Sequence, residues 1–181
     1  MKEANRQILA VLDAKDQIRD LVMAYSRAID RKDFDMLETL YHPGAGDEHG
    51  CNPTGTAGEF FAVLRASCGP ATTLHHNITN HYIKVDGDKA EGEAYLMGYH
   101  VIEGEDGKPY AFLLGARYLD RYERRDGVWK FAHRRVAADW VKHFDAEHVG
   151  DAPEVAGMAH GQSSGGDTGY EFLSLFRRGE R

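Results

Sequence analysis

The hydrophobic positions at the start of the chain recur at intervals of three and four, which is the spacing of one face of an α-helix. The pattern runs from Ile8 to about Asp30 and predicts a first helix over this stretch. Asp33 can cap a short second helix, and the capping box Thr56–Glu59 predicts the start of a third. The stretch 41–55 is rich in glycine and proline and is predicted to be a loop.

The third helix is predicted to stop at Gly69–Pro70, after which the pattern changes to the alternation of β-strands. Turn sequences at 86–88 and 125–127 predict two tight hairpins. Because consecutive strands with such short connections pair antiparallel, the segments should form a meander. Three helices followed by a meander give an α+β fold, in which the helices cover one face of a curved sheet. The predicted strands span residues 77–86, 89–103, 109–124 and 127–141.

The chain of 181 residues has the length of one domain, and its composition changes near residue 147. Residues 147–181 contain seven glycines, including those of the run 161–166. We therefore predict a domain over 1–146 and a glycine-rich, flexible C-terminal tail over 147–181. The apolar end of the tail, Tyr170–Phe176, either docks on a neighbouring molecule or on the pocket of its own chain, or is a frayed terminus.

Charge and apolar patterning exclude several classes of partner. The chain has 22 basic and 29 acidic residues, and this net charge of −7 argues against nucleic acid and anionic membranes. No apolar run approaches the roughly 20 residues of a membrane helix, and the N-terminus lacks the apolar core of a signal peptide, so we expect a cytoplasmic protein. Neither the ten histidines nor Cys51 and Cys68 have the spacing of a zinc site, so no metal is expected.

Three polar side chains stand at positions that suggest chemistry. Asp30 follows the last apolar position of the first helix, where a carboxylate opposes the helix dipole. Tyr25 lies on the apolar face of the same helix, and His76 lies at the mouth of the first strand. Each also has an ordinary structural explanation: Asp30 as a solvated carboxylate, Tyr25 as a core tyrosine and His76 as a structural histidine.

Two further polar residues belong to the predicted sheet. Strand alternation places His100 on the apolar side of its strand, from which it can line a cavity. Arg134 and Arg135 are adjacent and point to opposite faces, so one of them turns towards the helices. A buried arginine needs an anionic partner, for which Asp30 or a substrate could serve. The histidines predicted to lie at the surface, in loops or in the tail, are His42, His49, His143, His148 and His160.

These residues together resemble a known family. The helix with Asp30, the H-x-x-x-N motif of His76–Asn80, the hairpin at Val85–Ala90 and the strand at Tyr122–Phe131 are similar to the SnoaL-like branch of the nuclear transport factor 2-like superfamily. The resemblance covers about residues 8–145. It implies a cone-shaped α+β barrel, in which three N-terminal helices pack on a strongly curved, mostly antiparallel sheet.

The lyases of this branch include scytalone dehydratase, hexachlorocyclohexane dehydrochlorinase and bile-acid 7-alpha-dehydratase, which use an Asp–His dyad and no cofactor. The resemblance therefore implies that His76 is the base, that Asp30 orients it and that Tyr25 binds or protonates an oxygen. His75 is a rival for the dyad histidine, although the four-residue spacing to Asn80 favours His76. A tyrosine five residues before the aspartate, where the dehydrochlorinase has a lysine, favours loss of water over loss of halide.

The resemblance implies a cofactor-independent dehydratase that acts on a hydrophobic, ring-containing hydroxy compound such as a steroid, bile acid or polyketide. His100 and Arg134 would contact this substrate. Two alternatives remain open: a ketosteroid-type isomerase, and a non-catalytic binding or assembly subunit of the kind found in ring-hydroxylating oxygenases. By analogy the protein should be a homo-oligomer, either a trimer or a dimer. The aromatic residues expected in the core or lining the pocket are Tyr95, Phe112, Tyr118 and Trp140.

Overall fold

The computed structural model describes residues 2–50, 55–68, 73–104, 107–145 and 153–181. The helices are α1 (Glu3–Asp30), α2 (Phe34–Thr39), α3 (Ala57–Ser67) and α4 (Thr168–Phe172), and a 3-10 turn covers Pro153–Val155. The strands are β1 (Tyr41–Glu48), β2 (Gly55–Thr56), β3 (Thr73–Asp86), β4 (Lys89–Glu103), β5 (Pro109–Arg125) and β6 (Val128–Asp145). Cys51, His148, the helix end at Gly69–Pro70 and the domain boundary after residue 146 lie outside the described residues.

The strands form a six-stranded sheet in the order β2–β1–β6–β5–β4–β3. All neighbouring strands are antiparallel except β1 and β6, which run parallel. The two predicted hairpins are confirmed, and the second turns on left-handed residues at Asp126 (φ +52°) and Gly127 (φ +80°). Two register shifts between β5 and β6 bend the long strands. The result is the predicted α+β fold with a curved, mostly antiparallel sheet, covered on its inner face by helices.

Strand β1 occupies the stretch that the sequence predicted to be a loop. Its longer pairing is with distant residues of β6: Tyr41 lies opposite Phe131, and Glu48 lies opposite Arg135. Its other edge makes only a short antiparallel pairing with β2. Gly46 allows the close approach of the strands, because a Cβ there would collide with the His133 ring. The local glycine and proline content concealed a strand whose stability comes from parallel pairing with β6, and this prediction was wrong.

Helix α1 packs on the sheet through its later turns. Its buried apolar residues extend from Ala14 to Ile29, and the capping-box bonds predicted for α3 are both present. The apolar residues of the first turns remain exposed, although the helical spacing predicted that they would share the buried face. Among the described residues no element covers them, so periodicity alone did not establish burial here. They are Ile8, Leu9, Val11 and Leu12.

The described part of the tail returns to the turn between α1 and α2. The Tyr170 hydroxyl (3.1 Å) and the Gly179 N–H (2.8 Å) both donate to the carboxylate of Asp33, which caps α2. Arg178 donates to the carbonyl oxygen of Lys32 at 2.7 Å. The apolar end of the tail therefore contacts its own chain, immediately beyond the end of the helix that carries Asp30.

Candidate active site

Asp30 is the last residue of α1, and the turn that follows it fixes where its carboxylate lies. Lys32 adopts a left-handed φ of +51°, and Asp33 then caps α2 by accepting a hydrogen bond from the Met36 N–H at 3.2 Å. The chain therefore leaves the helix axis directly after Asp30. Its carboxylate is thus free to face the neighbouring end of β3, where it takes its partners from His76.

Asp30 and His76 are in direct contact through three hydrogen bonds. The backbone N–H of His76 donates to both carboxylate oxygens, at 3.1 and 3.0 Å, and Nδ1 lies 2.7 Å from Oδ1. Because a carboxylate can only accept, Nδ1 carries the proton and Nε2 of the neutral ring keeps its lone pair. The side chains are 13% and 9% exposed, so the pair is largely shielded from water. This is the geometry of a base that is oriented by a carboxylate.

Strand alternation separates the two candidate histidines. His75 lies opposite Tyr99 and is exposed, whereas His76 lies opposite Gly98 and turns to the inner face. The structure therefore brings His76, and not its rival, to Asp30. The residue opposite His76 on β4 is a glycine, and the missing side chain leaves space for the rings of His76 and His100.

His100 lies against His76, as the alternation of β4 predicted. The two rings meet edge to face with centroids 5.1 Å apart, and His100 stacks on Phe112 at 4.7 Å. Nδ1 of His100 donates to the carbonyl oxygen of Gly98 at 3.2 Å, which leaves Nε2 without a proton. Burial, assisted by the proximity of His76, lowers the pKa of His100 to about 4, so the ring is neutral at physiological pH. A Cβ on Gly98 would lie 2.7 Å from Cε1 of His100, so only glycine makes room for this ring.

Arg134 is fully buried, and its partner differs from both expectations. Nε and Nη2 each donate to the carboxylate of Asp120 at 2.7 Å, so neither Asp30 nor a substrate supplies the compensating charge. The guanidinium lies 4.0 Å from the ring centroid of Tyr25 and 3.8 Å from that of Tyr118. Its Nη1 is buried and has no hydrogen-bond partner among the described residues. Sequence reasoning missed Asp120, although it stands two residues after Tyr118 on the inward-facing side of β5.

Tyr25 is also fully buried, and its hydroxyl belongs to a second polar cluster. It lies 3.3 Å from Nε2 of His49, whose Nδ1 is in short contact with the carboxylate of Asp47. Tyr41 donates to the other oxygen of that carboxylate at 2.9 Å. Neither a hydrogen bond nor a ring contact joins Tyr25 to His76 within the described part of the chain. The structure therefore places the predicted residues in two neighbouring groups rather than in one.

The prediction that His49 lies at the surface was wrong. Its ring stacks on Phe60 at 4.0 Å, and its side chain is only 19% exposed. His42 is likewise buried and bonds to the carbonyl oxygen of Glu123 at 2.9 Å. Once residues 41–48 are known to be a strand, the two-residue spacing of Asp47 and His49 becomes the informative signal, because alternate residues share a face.

Tyr118 packs against the second group. Its ring centroid is 5.6 Å from that of Tyr25 and 6.4 Å from that of His49. Burial raises the pKa of Tyr118, and the charges of Asp30 and Asp47 both act in the same direction. The rings of Tyr25 and Tyr118 and the guanidinium of Arg134 therefore pack together in one interior.

The tyrosines of this interior remain protonated at any physiological pH. Burial raises the pKa of Tyr25 and Tyr41 well above its usual value, with Arg134 opposing the shift only in part. They can therefore donate hydrogen bonds but do not act as phenolates. Of the four aromatic residues expected in the core or pocket, Tyr118 is buried and Phe112 contacts His100, whereas Tyr95 and Trp140 are exposed on the other face of the sheet. The expectation for these last two was wrong.

Outside these two groups, the described residues contain another histidine–carboxylate contact, between Nε2 of His133 and Glu48 at 2.7 Å. They contain no group of three or more histidine, cysteine or acidic side chains arranged to hold a metal ion. No helix in the described ranges combines the length and the apolar character needed to cross a membrane.

Comparison with known families agrees with this architecture. The model of the SnoaL-like domain family matches residues 10–135, which is more than half of the chain. The chain belongs to the SnoaL-like domain family. The match includes Asp30, His76, His100 and Arg134, but ends before the tail.

Individual relatives of this SnoaL-like protein include lyases. The gamma-hexachlorocyclohexane dehydrochlorinase of Sphingobium indicum is 33% identical over 64 residues, which make up 35% of this chain and 38% of that protein. The crystal structure of a hexachlorocyclohexane dehydrochlorinase, LinA type 2, superimposes with a TM-score of 0.68 at 24% identity, covering 80% of this chain and 97% of the other.

A second solved structure, from Novosphingobium aromaticivorans, is named for a proposed scytalone dehydratase activity. It superimposes with a TM-score of 0.63 at 20% identity and covers 78% of this chain and 96% of the other. At this level of identity the likeness establishes the fold. The chemistry of this SnoaL-like protein depends on its own side chains.

Proposed function

We propose that this protein is a cofactor-independent lyase that removes water from a hydrophobic, ring-containing hydroxy compound of the steroid, bile-acid or polyketide type. The observation that carries the proposal is the contact of Asp30 with Nδ1 of His76. It leaves the lone pair of Nε2 available to a carbon-bound proton, since the carboxylate holds the other nitrogen in its protonated form.

The elimination requires two proton movements. Nε2 of His76 takes a proton from the carbon next to a carbonyl or enone, and the C–H electrons form the new double bond. The C–O bond breaks at the neighbouring carbon, and the leaving hydroxyl departs as water after accepting a proton. General base catalysis of this kind typically contributes about 10²–10⁴-fold in rate. Asp30 stabilises the imidazolium that His76 becomes.

The oxygen atoms of the substrate need donors, and two buried groups are suited to supply them. Tyr25 keeps its hydroxyl proton because burial raises its pKa. Nη1 of Arg134 is a buried donor without a partner among the described residues, and such groups normally find one in a complete complex. We assign Tyr25 to the leaving hydroxyl and Arg134 to a carbonyl oxygen on which negative charge develops.

The side chains around the candidate base favour an apolar, neutral substrate. His100 is neutral and stacks on Phe112 next to the base, and Tyr118 and Phe60 extend the aromatic surface towards His49. A flat ring system would gain stacking contacts with these aromatic faces. A negatively charged substrate would find no unpaired positive charge, because Asp120 already neutralises Arg134. This composition supports a ring-containing compound over a small charged acid.

The proposal is tested by incubating the purified protein with hydroxysteroids, hydroxylated bile-acid enones, hydroxy-polyketides and the chloro analogue of each. Ultraviolet absorbance reports a conjugated alkene, and mass spectrometry reports loss of water. Water loss is the expected result. Loss of chloride alone would make the protein a dehydrohalogenase, a product of unchanged mass would make it an isomerase, and binding without turnover would favour a binding or assembly subunit.

A further inference from the structure

We infer that Asp47 and His49 form a second proton-transfer unit, which acts through Tyr25 to supply the proton that the leaving hydroxyl needs. The inference rests on the proposed function, and it gives a role to two residues that the dyad mechanism leaves unused. His49 is a positioning and relay residue in this scheme, because it acts through the Tyr25 hydroxyl. The dyad of His76 and Asp30 removes one proton, and this unit delivers the other.

The geometry is that of a chain of three groups. The Asp47 carboxylate is buried and is held by Tyr41 at 2.9 Å and by Nδ1 of His49. Nδ1 must therefore be protonated, because its partner only accepts. Nε2 of the same ring lies 3.3 Å from the Tyr25 hydroxyl. A carboxylate, an imidazole and a hydroxyl are thus connected in the order found in catalytic triads.

The state of His49 determines where the Tyr25 proton points. When the imidazole is neutral, Nε2 can only accept, so the Tyr25 hydroxyl donates to it and is not available to a substrate. When the imidazole is protonated, Nε2–H donates to the phenolic oxygen, and the Tyr25 proton is free to point at the leaving group. The buried carboxylate of Asp47 stabilises this charged state at close range.

Tyr25 gives its proton to the leaving hydroxyl, which becomes water, while Nε2–H of His49 returns a proton to the phenolic oxygen. His76 has meanwhile gained the carbon-bound proton, so one imidazole gains a proton and the other loses one. The 19% exposure of the His49 side chain gives it a route to solvent, from which it recovers its proton after turnover.

The environment of His49 contains few competing charges. Asp47 lies at the end of β1, which His49 follows directly; Tyr25 faces the ring from α1, and Tyr118 faces it from β5 at 6.4 Å. Phe60 of α3 covers the ring and carries no charge. Arg134, which lies 4.0 Å from the ring centroid of Tyr25, is neutralised by Asp120. Asp47 is therefore the main charged group in contact with the His49 ring.

The scheme predicts a bell-shaped pH profile of kcat/KM, because His76 must be neutral and His49 must be protonated. In H49Q the imidazole that carries the relayed proton is gone, so kcat should fall about 10²–10⁴-fold with little change in KM, and the alkaline limb should disappear. His42→Gln is the matched control, since His42 is a buried histidine of β1 whose hydrogen-bond partner among the described residues is a backbone carbonyl oxygen. It should keep both limbs and nearly full kcat.

Three results would overturn the inference. If His49→Gln keeps the alkaline limb and the rate of the wild type, elimination stands and the relay is wrong. If the wild type eliminates nothing, the proposed function fails and the relay fails with it as a step of catalysis. The hydrogen-bond chain itself is read without substrate from the imidazole ¹⁵N resonances: Tyr25→Phe should shift Nε2 of His49, and an unchanged resonance would show that the two groups are not connected.

Discussion

At the scale of single residues, the site depends on which nitrogen of each histidine carries a proton. Asp30 sets this for His76, Asp47 for His49, and the carbonyl oxygen of Gly98 for His100. In every case an acceptor holds Nδ1 and leaves Nε2 to face the interior or another group. The three rings differ in the group that Nδ1 contacts, which is a carboxylate for His76 and His49 and a backbone carbonyl oxygen for His100.

The orientation of His76 leads to a prediction for Asp30→Asn. The amide can present its NH2 group to Nδ1, which would reverse the tautomer and place the proton on Nε2, where the lone pair is needed. We expect kcat to fall about 10²–10⁴-fold while the fold is retained. Steady-state kinetics with circular dichroism as the check on folding would measure this. A variant with the rate of the wild type would show that Asp30 does not set the tautomer.

The environment of His100 predicts a pH dependence of stability. Its folded-state pKa, about 4 because of burial, lies below the value near 6.5 expected for an unfolded chain. Between these two values the unfolded chain binds a proton that the folded chain does not, so the free energy of unfolding decreases as the pH falls from 6.5 to 4. In His100→Phe, the decrease in the free energy of unfolding over this pH range should be smaller by up to about 3 kcal/mol. Urea titrations at pH 7 and pH 4 would measure the free energy of unfolding of both proteins. The same decrease between the two pH values in the wild type and in His100→Phe would contradict the prediction.

At the scale of elements, the turn between α1 and α2 connects the tail to the site. Asp33 caps α2 and accepts from Tyr170 and Gly179 of the tail, and Asp30 ends α1 three residues earlier. Arg27 of α1 also lies 4.8 Å from the ring centroid of Tyr170. Helix α4 and the segment after it therefore hold the turn that directs the Asp30 carboxylate towards His76.

Removal of one tail contact should have a measurable cost. Tyr170→Phe keeps the ring against Arg27 but removes the hydroxyl that donates to Asp33, so we expect a loss of about 1–2 kcal/mol in the free energy of unfolding. Phe172→Ala is the control, because Phe172 lies on the same short helix and is 86% exposed. Denaturant titrations compare the two. If Tyr170→Phe is as stable as Phe172→Ala, the tail does not hold the turn.

Elements with a clear period could be predicted from sequence, and those without one could not. Helices α1 to α3 and strands β3 to β6 show in the spacing of apolar residues, in the Thr56–Glu59 capping box and in the two hairpin turns. Strand β1 has none of these signals, since most of its pairing is with β6, about 90 positions away, and its pairing with β2 is short. The contact of Asp30 with His76 could be expected from the family resemblance. The contact of Asp47 with His49 could not, because the strand that carries Asp47 and ends just before His49 was not predicted.

At the scale of the whole molecule, the outer face of the sheet exposes a row of apolar side chains. Met97, Gly115 and Trp140 lie side by side on three adjacent strands, and Trp140 lies across Gly115, where a Cβ would collide with its ring. Met97 and Trp140 are 40% and 47% exposed. An apolar row of this kind is suited to contact another copy of the chain, as expected for a homo-oligomer.

This surface gives a prediction about assembly. Light scattering should report a dimer or trimer for the wild type, and Trp140→Glu should shift it towards the monomer, because a carboxylate would be buried in the contact. Met158→Glu is the control, since Met158 is exposed in the tail, away from the sheet. A wild type that is monomeric at all concentrations, or a Trp140→Glu variant of unchanged mass, would contradict the prediction.

The most direct test of the account compares two neighbouring histidines. His76→Gln and His75→Gln are assayed beside the wild type with the hydroxy compound on which the wild type is most active, following water loss by mass spectrometry. His76 contacts Asp30 and His75 is exposed, so we expect the first variant to lose at least about 100-fold in kcat and the second to keep its activity. Full activity of His76→Gln would contradict the assignment of the base and, with it, the central claim about this site.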